Sequence, residues 1–194
     1  MRRMTARTCE ALIAAALVLS LPACDPGDGG SRGDAATPSP PASSPKPSAA
    51  PLSVAALRNA EYFRGAAAIT LSEGRFTSPS PFPAEPNRYT LREDLIAQAD
   101  VNGDGAEDAA VLVDFDPFGT GYFPNLVVML NSGGSSSFAA SISLDDRTRV
   151  ESIRIEGARI ILNLTVHGPG EARCCPTVPR TVTYRFVNGT LVQE

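Results

Sequence analysis

Tryptophan is absent from this 194-residue chain, histidine occurs once, at His167, and lysine once, at Lys46. With a single histidine, no G-x-S-x-G turn and no glycine-rich phosphate cradle, little is available from which a catalytic site could be assembled. Asp145 and Asp146 are adjacent, so on a strand they would face opposite ways and form no ready carboxylate pair. The chain is therefore read as non-enzymatic. From residue 52 onward twelve arginines stand against seventeen acidic residues, a formal charge of −5. No basic patch results, which argues against nucleic acid as a partner. The same region contains no apolar run long enough to span a bilayer. Sixteen arginines beside one lysine point to a GC-rich genome more than to a function.

The N-terminal region is of a different kind. Arg2, Arg3 and Arg7 precede the apolar stretch "ALIAAALVLSL" (11–21), which is too short for a mature membrane span and has the length and flanks of a signal-peptide core. It ends in Leu21-Pro22-Ala23-Cys24, which resembles the lipobox of bacterial lipoproteins. The resemblance implies that 1–23 is a lipoprotein signal peptide and that Cys24 is lipidated, becomes the new N-terminus and is then acylated. Ordinary secretion with cleavage elsewhere is the alternative. Several acyl chains on one residue anchor stably, so the expected location is the cell membrane, facing the extracytoplasmic space. Residues 24–51 carry seven prolines among Gly, Ser and Ala, and no aromatic residue. Such a composition cannot bury a core and predicts a disordered tether reaching on the order of 30 Å as a flexible coil.

Residues 52–194 have the length of one domain. Its hydrophobic periodicity is mostly two. "SVAALRNAEYF" (53–63) is the one helical candidate, with Ser53 as N-cap and Val54, Leu57 and Tyr62 on one side. Strands are predicted at 66–71, 75–78, 88–99, 109–115, 122–130, 137–144, 149–155, 159–167, 180–186 and 190–193. "YFPNLVVML" is apolar on both faces, as a central strand would be, with Pro124 required at its start. Asn188-Gly189 is a strong hairpin signal because both residues tolerate positive φ. The fold class that follows is mainly β: an antiparallel sheet rolled into a small barrel or sandwich, with one short N-terminal helix.

"DVNGDGAED" (100–108) has the spacing of a compact cation loop. Asp100, Asn102 and Asp104 occupy positions 1, 3 and 5, Gly105 the sharp bend, Ala106 offers a carbonyl at position 7, and Asp108 closes at position 9. Calcium takes six to eight hard oxygens, and alternate residues of a wound loop point inward. An EF-hand would need Glu at position 12, where Val111 stands, so this is not an EF-hand. The stretch resembles the D-x-[DN]-x-D-G-x-x-D loop of integrin-type FG-GAP repeats. A structural Ca²⁺ with affinity of roughly 10⁻⁵–10⁻³ M is expected. The competing reading is an acidic β-turn, since Asn-Gly and Asp-Gly favour turns whatever they bind. Three crowded carboxylates without a counter-ion weigh against it.

Cys174 and Cys175 are neighbours in "RCCPT". In an oxidising compartment a vicinal disulfide is one expectation, although adjacent α-carbons stand closer than disulfides prefer. The alternatives are a soft-metal site made by His167, Cys174 and Cys175, and a redox-active bridge.

The order of parts, from "LRNAEY" and "ITLSEGRF" through "ADVNGDGAEDAAVLV", "GTGYF", "LVVMLN" and "DDRTRVESIRIEGARIIL" to "HGP" and "CCPT", resembles a group of uncharacterised bacterial lipoproteins with a single FG-GAP-like loop and a C-terminal CCP motif. The resemblance spans nearly all of 57–194 and carries a fold unit, not an activity. The function expected is a membrane-anchored, non-catalytic binding or envelope-structural lipoprotein with a calcium-stabilised loop. The alternative is a soft-metal or thiol-redox lipoprotein acting through the cysteine pair.

Overall fold

A computed structural model describes residues 50–63, 65–78, 86–117 and 121–194. The expected signal peptide, the expected lipidation at Cys24 and the expected tether up to residue 49 lie outside the described residues. The described residues form a helix α1 (Val54–Arg58) and eleven strands. These are β1 (Glu61–Tyr62), β2 (Ile69–Thr70), β3 (Arg75–Ser78), β4 (Asn87–Ala99), β5 (Asp108–Asp116), β6 (Phe123–Ser132), β7 (Ser135–Ser143), β8 (Arg149–Glu156), β9 (Arg159–Val166), β10 (Val178–Val187) and β11 (Thr190–Gln193). The protein is mainly β, as its period-two patterning predicts.

Two antiparallel sheets are built from consecutive strands, β3-β4-β5-β6-β7 and β11-β10-β9-β8, with β1-β2 as a small third ladder. Short turns set this order. Asn188 and Gly189 both have positive φ, 50° and 78°, as the tight β10–β11 turn requires. The crossing between sheets comes at residues 144–148. There Leu144 donates its amide to the Pro124 carbonyl and Arg147 to the Tyr122 carbonyl. β8 then lies against β4, and β11 against β7, so the two sheets wrap one interior. That interior holds Leu112, Leu126 and Val128 of one sheet against Val150, Ile160, Leu162, Leu164 and Tyr184 of the other.

A second core covers the opposite face of the five-stranded sheet. Leu52, Leu57, Tyr62 and Leu71 of the N-terminal segment pack on Ala109, Val111, Val113, Val127 and Met129. This explains the unbroken apolar run of β5. Even-numbered residues 110 and 112 face the first core, odd-numbered 109, 111 and 113 the second, and all are buried.

Two local expectations are corrected. The helix stops at Arg58 rather than Phe63, with Ser53 as N-cap accepting from the Ala56 amide at 3.0 Å. Asn59 ends it: its Nδ2 donates to the Ala55 carbonyl at 3.0 Å, and its Oδ1 accepts from the Glu73 amide at 3.1 Å. Tyr62 accordingly sits on β1, and its hydroxyl donates to the Leu57 carbonyl at 3.0 Å. The "AAAITL" strand shrinks to Ile69–Thr70, because Gly65–Ala67 winds into a 3-10 turn. Three successive alanines lack the branched side chains that hold a ladder.

Candidate functional site

The acidic loop connects β4 to β5 and is wound around its own side chains. Asp100 accepts the Gly103 amide on Oδ1 at 2.6 Å and the Gly105 amide on Oδ2 at 2.9 Å. Asn102 Oδ1 accepts from the Asp104 amide at 2.9 Å, and Asp104 Oδ1 from the Ala106 amide at 2.7 Å. Each of these polar residues thus closes a turn two to five residues ahead, the habit of Asp and Asn that competes with regular structure. Val101 is buried in the first core and pins the loop to the sheet.

Asp108 differs from the other loop residues. Its side chain is fully buried at the first position of β5. Oδ2 accepts the Val101 amide at 3.2 Å, and Oδ1 accepts the Asn131 amide at 2.9 Å. Burial pushes its carboxyl up, the two amides oppose that shift, and the charges of Asp104 and Asp100 add to it. Among the described residues no ion pair reaches Asp100 or Asp108.

Asn131 was not legible as part of this site. It is itself buried, and its Nδ2 donates to the carbonyls of Ala50, at 2.8 Å, and Glu107, at 3.0 Å. Its Oδ1 accepts the Gly134 amide at 2.8 Å. One side chain thereby ties the loop, the β6–β7 turn and the start of the folded segment together. The only sequence signal was its position before Gly133-Gly134, which reads as turn chemistry alone.

The donor set of the loop consists of hard oxygens, from Asp100, Asn102, Asp104, Asp108 and the Ala106 carbonyl, and in chemistry it fits Ca²⁺. Among the described residues, however, no three carboxylate, imidazole or thiol side chains converge as a metal cage. The loop carboxylates are turned onto amides instead.

Cys174 and Cys175 are joined in a vicinal disulfide, with α-carbons 3.8 Å apart. Both are exposed and lie in the loop between β9 and β10, where the Cys175 amide donates to the Ala172 carbonyl at 3.1 Å. Glu171 organises this loop. Its carboxylate accepts the amides of Gly168, at 2.9 Å, and Thr177, at 3.2 Å, together with the Thr177 hydroxyl. The Thr177 hydroxyl first, and then the Gly168 amide, hold the Glu171 carboxyl below the usual range. His167 directly follows β9 and is half-buried, with Nδ1 lacking a hydrogen-bond partner among the described residues. The expected soft-metal trio of His167, Cys174 and Cys175 is not assembled, because both sulfurs are engaged in the bond to each other.

No family model, no curated protein and no solved structure matches the chain.

Proposed function

We propose that this protein is a lipid-anchored, extracytoplasmic and non-catalytic binding or envelope-structural module whose loop 100–108 is closed by calcium. The observation that carries the calcium reading is Asp108. A fully buried carboxylate beside Asp100 and Asp104, reached by no ion pair among the described residues, is an electrostatic cost that a divalent cation removes. Asp100, Asn102, Asp104, Asp108 and the Ala106 carbonyl are the residues that would hold it. The ion's role is structural, since the loop itself supplies these donors. The likeness to lipobox lipoproteins supports the anchor at Cys24, and the single histidine supports a non-catalytic role.

The test is a thermal melt of the purified chain in chelator and in millimolar calcium, beside Asp104→Ala. At a hundredfold excess over the dissociation constant the ion adds about 2.7 kcal/mol, a rise of several degrees that Asp104→Ala should lack. An equal midpoint in both buffers refutes the calcium loop. Incorporation of labelled fatty acid that is lost in Cys24→Ala tests the anchor. A thiol-redox role remains the second reading, and the exposure of both bridged cysteines favours it. A bridge indifferent to mild reductant eliminates that role.

A further inference from the structure

A cleft of about 510 Å³ opens between β4 and the start of β8, closed at one end by the disulfide loop. That is within the range of roughly 300–1,000 Å³ typical of small-molecule sites. Its floor is rigid. Arg92 is held by Asp94 through Nε at 3.0 Å and Nη2 at 2.8 Å, and its Nη1 lies 3.7 Å from Asp114. Burial first, and then the Asp114 carboxylate, push the Tyr122 hydroxyl up to about 12. A backbone clasp fixes the adjoining turn: the Tyr122 amide donates to Asp146 Oδ1 at 2.9 Å and the Arg147 amide to the Tyr122 carbonyl at 2.7 Å. Arg147 Nη1 then reaches Asp146 at 3.0 Å and the Arg173 carbonyl at 3.1 Å, joining this turn to the disulfide loop.

The third cation of the lining is placed differently. Arg149 is exposed on β8, and its guanidinium makes no ion pair or hydrogen bond with the described residues. Glu151, two residues on, is drawn to the Thr165 hydroxyl at 2.6 Å instead. Asp94, Asp114 and Asp146 already face Arg92 and Arg147, so Arg149 is the one guanidinium of the lining with no carboxylate of the described residues against it, while Glu151 of the same lining keeps its own negative charge. The apolar part of the lining is made by buried Val150, buried Pro176 and Cys174 of the disulfide.

We propose that this cleft binds a small organic monocarboxylate, its carboxylate on Arg149 and its apolar body against Val150, Pro176 and the disulfide. The one unpaired guanidinium offers a single planar fork, which suits one carboxylate, and the charge of Glu151 limits how much anionic charge the cleft can take. A polyphosphate would meet the carboxylates of Asp94, Asp114 and Glu151. The inference deepens the binding-module reading and rests on it for its biological setting, but it does not depend on calcium or on the anchor.

The full chain in mild detergent is titrated with benzoate, phenylacetate and hexanoate, followed by amide chemical shifts. Neutral benzamide and inorganic phosphate serve as controls. Saturable shifts are expected at Tyr122, Arg147, Val150 and Cys174. Benzamide and phosphate should bind at least tenfold more weakly, and Arg149→Gln should weaken carboxylate binding by roughly tenfold or more, the loss of one charge-assisted hydrogen bond. Arg149→Lys, which keeps the charge, should retain part of the affinity and checks that the fold is intact. The proposal is overturned if none of the three acids saturates, if benzamide or phosphate binds equally well, or if Arg149→Gln binds like the wild type. Repeating the titration in chelator separates the two readings. Carboxylate binding without a calcium response overturns only the calcium loop, and a calcium response without carboxylate binding overturns only this inference.

Discussion

The buried carboxylate of Asp108 accepts the Asn131 amide at 2.9 Å while its other oxygen accepts the Val101 amide at 3.2 Å. One side chain therefore links the acidic loop, the first position of β5 and the end of β6. Asn131 answers from the other side with its donation to the Glu107 carbonyl. The loop is anchored at its closing residue, whatever occupies its centre.

Asp108→Ala leaves both amides without their acceptor in a buried setting. The expected loss is about 2–3 kcal/mol even in chelator, as a buried unsatisfied group costs roughly 1–3 kcal/mol. Urea unfolding of the variant beside the wild type measures it. A loss under about half a kcal/mol would show that the clamp is not formed.

The raised carboxyl of Asp108 fixes the sign of a pH effect. Its folded value lies above the unfolded one, so its contribution is fully present below the unfolded carboxylate range, about 3.9, and is lost as pH rises through the folded value. In chelator, mild acidification from neutrality should therefore raise the stability of the wild type relative to Asp108→Ala. In calcium the trend should reverse, because protonation competes with the ion. The difference in melting midpoint between wild type and variant, followed over pH in both buffers, reads this out.

Removing one atom tests the N-terminal cap. Tyr62 is fully buried and its hydroxyl donates to the Leu57 carbonyl at the end of α1. Tyr62→Phe keeps the ring and should cost about 1 kcal/mol. Leu57→Ala opens a cavity in the second core and should cost about 2–5 kcal/mol. If denaturant midpoints leave both variants at wild type, the segment 50–63 does not cover the sheet.

Reduction of Cys174–Cys175 should barely alter global stability. A bridge between neighbours closes almost no loop, so it removes little entropy from the unfolded chain. The expected change in melting midpoint is within about 2 °C. Amide exchange should nevertheless rise locally at residues 172–176, with Gly168 and Thr177 still protected through Glu171. Global unfolding on mild reduction would contradict this.

Much of the fold was legible because its signals are local. The alternation of Ile160, Leu162 and Leu164 in β9, and of Val182, Tyr184 and Phe186 in β10, predicts the buried faces that the structure shows. The Asn188-Gly189 turn is a property of two residues. The short helix was overextended because its stop depends on Glu73, which Asn59 reaches only after the chain has returned. Within the loop, the turn-closing habit of Asp100, Asn102 and Asp104 was legible from their residue types. The partnership of Asp108 with Asn131 was not, because nothing local couples them.

The cleft was equally out of reach, and Leu91 and Leu95 show why. Four residues apart on one strand, they should share a face, yet Leu91 packs in the second core and Leu95 in the first. Between Arg92 and Ile96 the register with β5 shifts, leaving Glu93, Asp94 and Leu95 without opposite partners. An odd insertion reverses the parity of the strand, and at its start Arg92 is turned onto Asp94 at the floor of the cleft. Composition, alternation and turn chemistry determined that this chain is mainly β and where most of its strands run. Which faces are covered, where β4 changes sides and which arginine is left uncommitted were decided only by tertiary structure, because a strand's partner and register are set by packing across the sheets and not by its own residues.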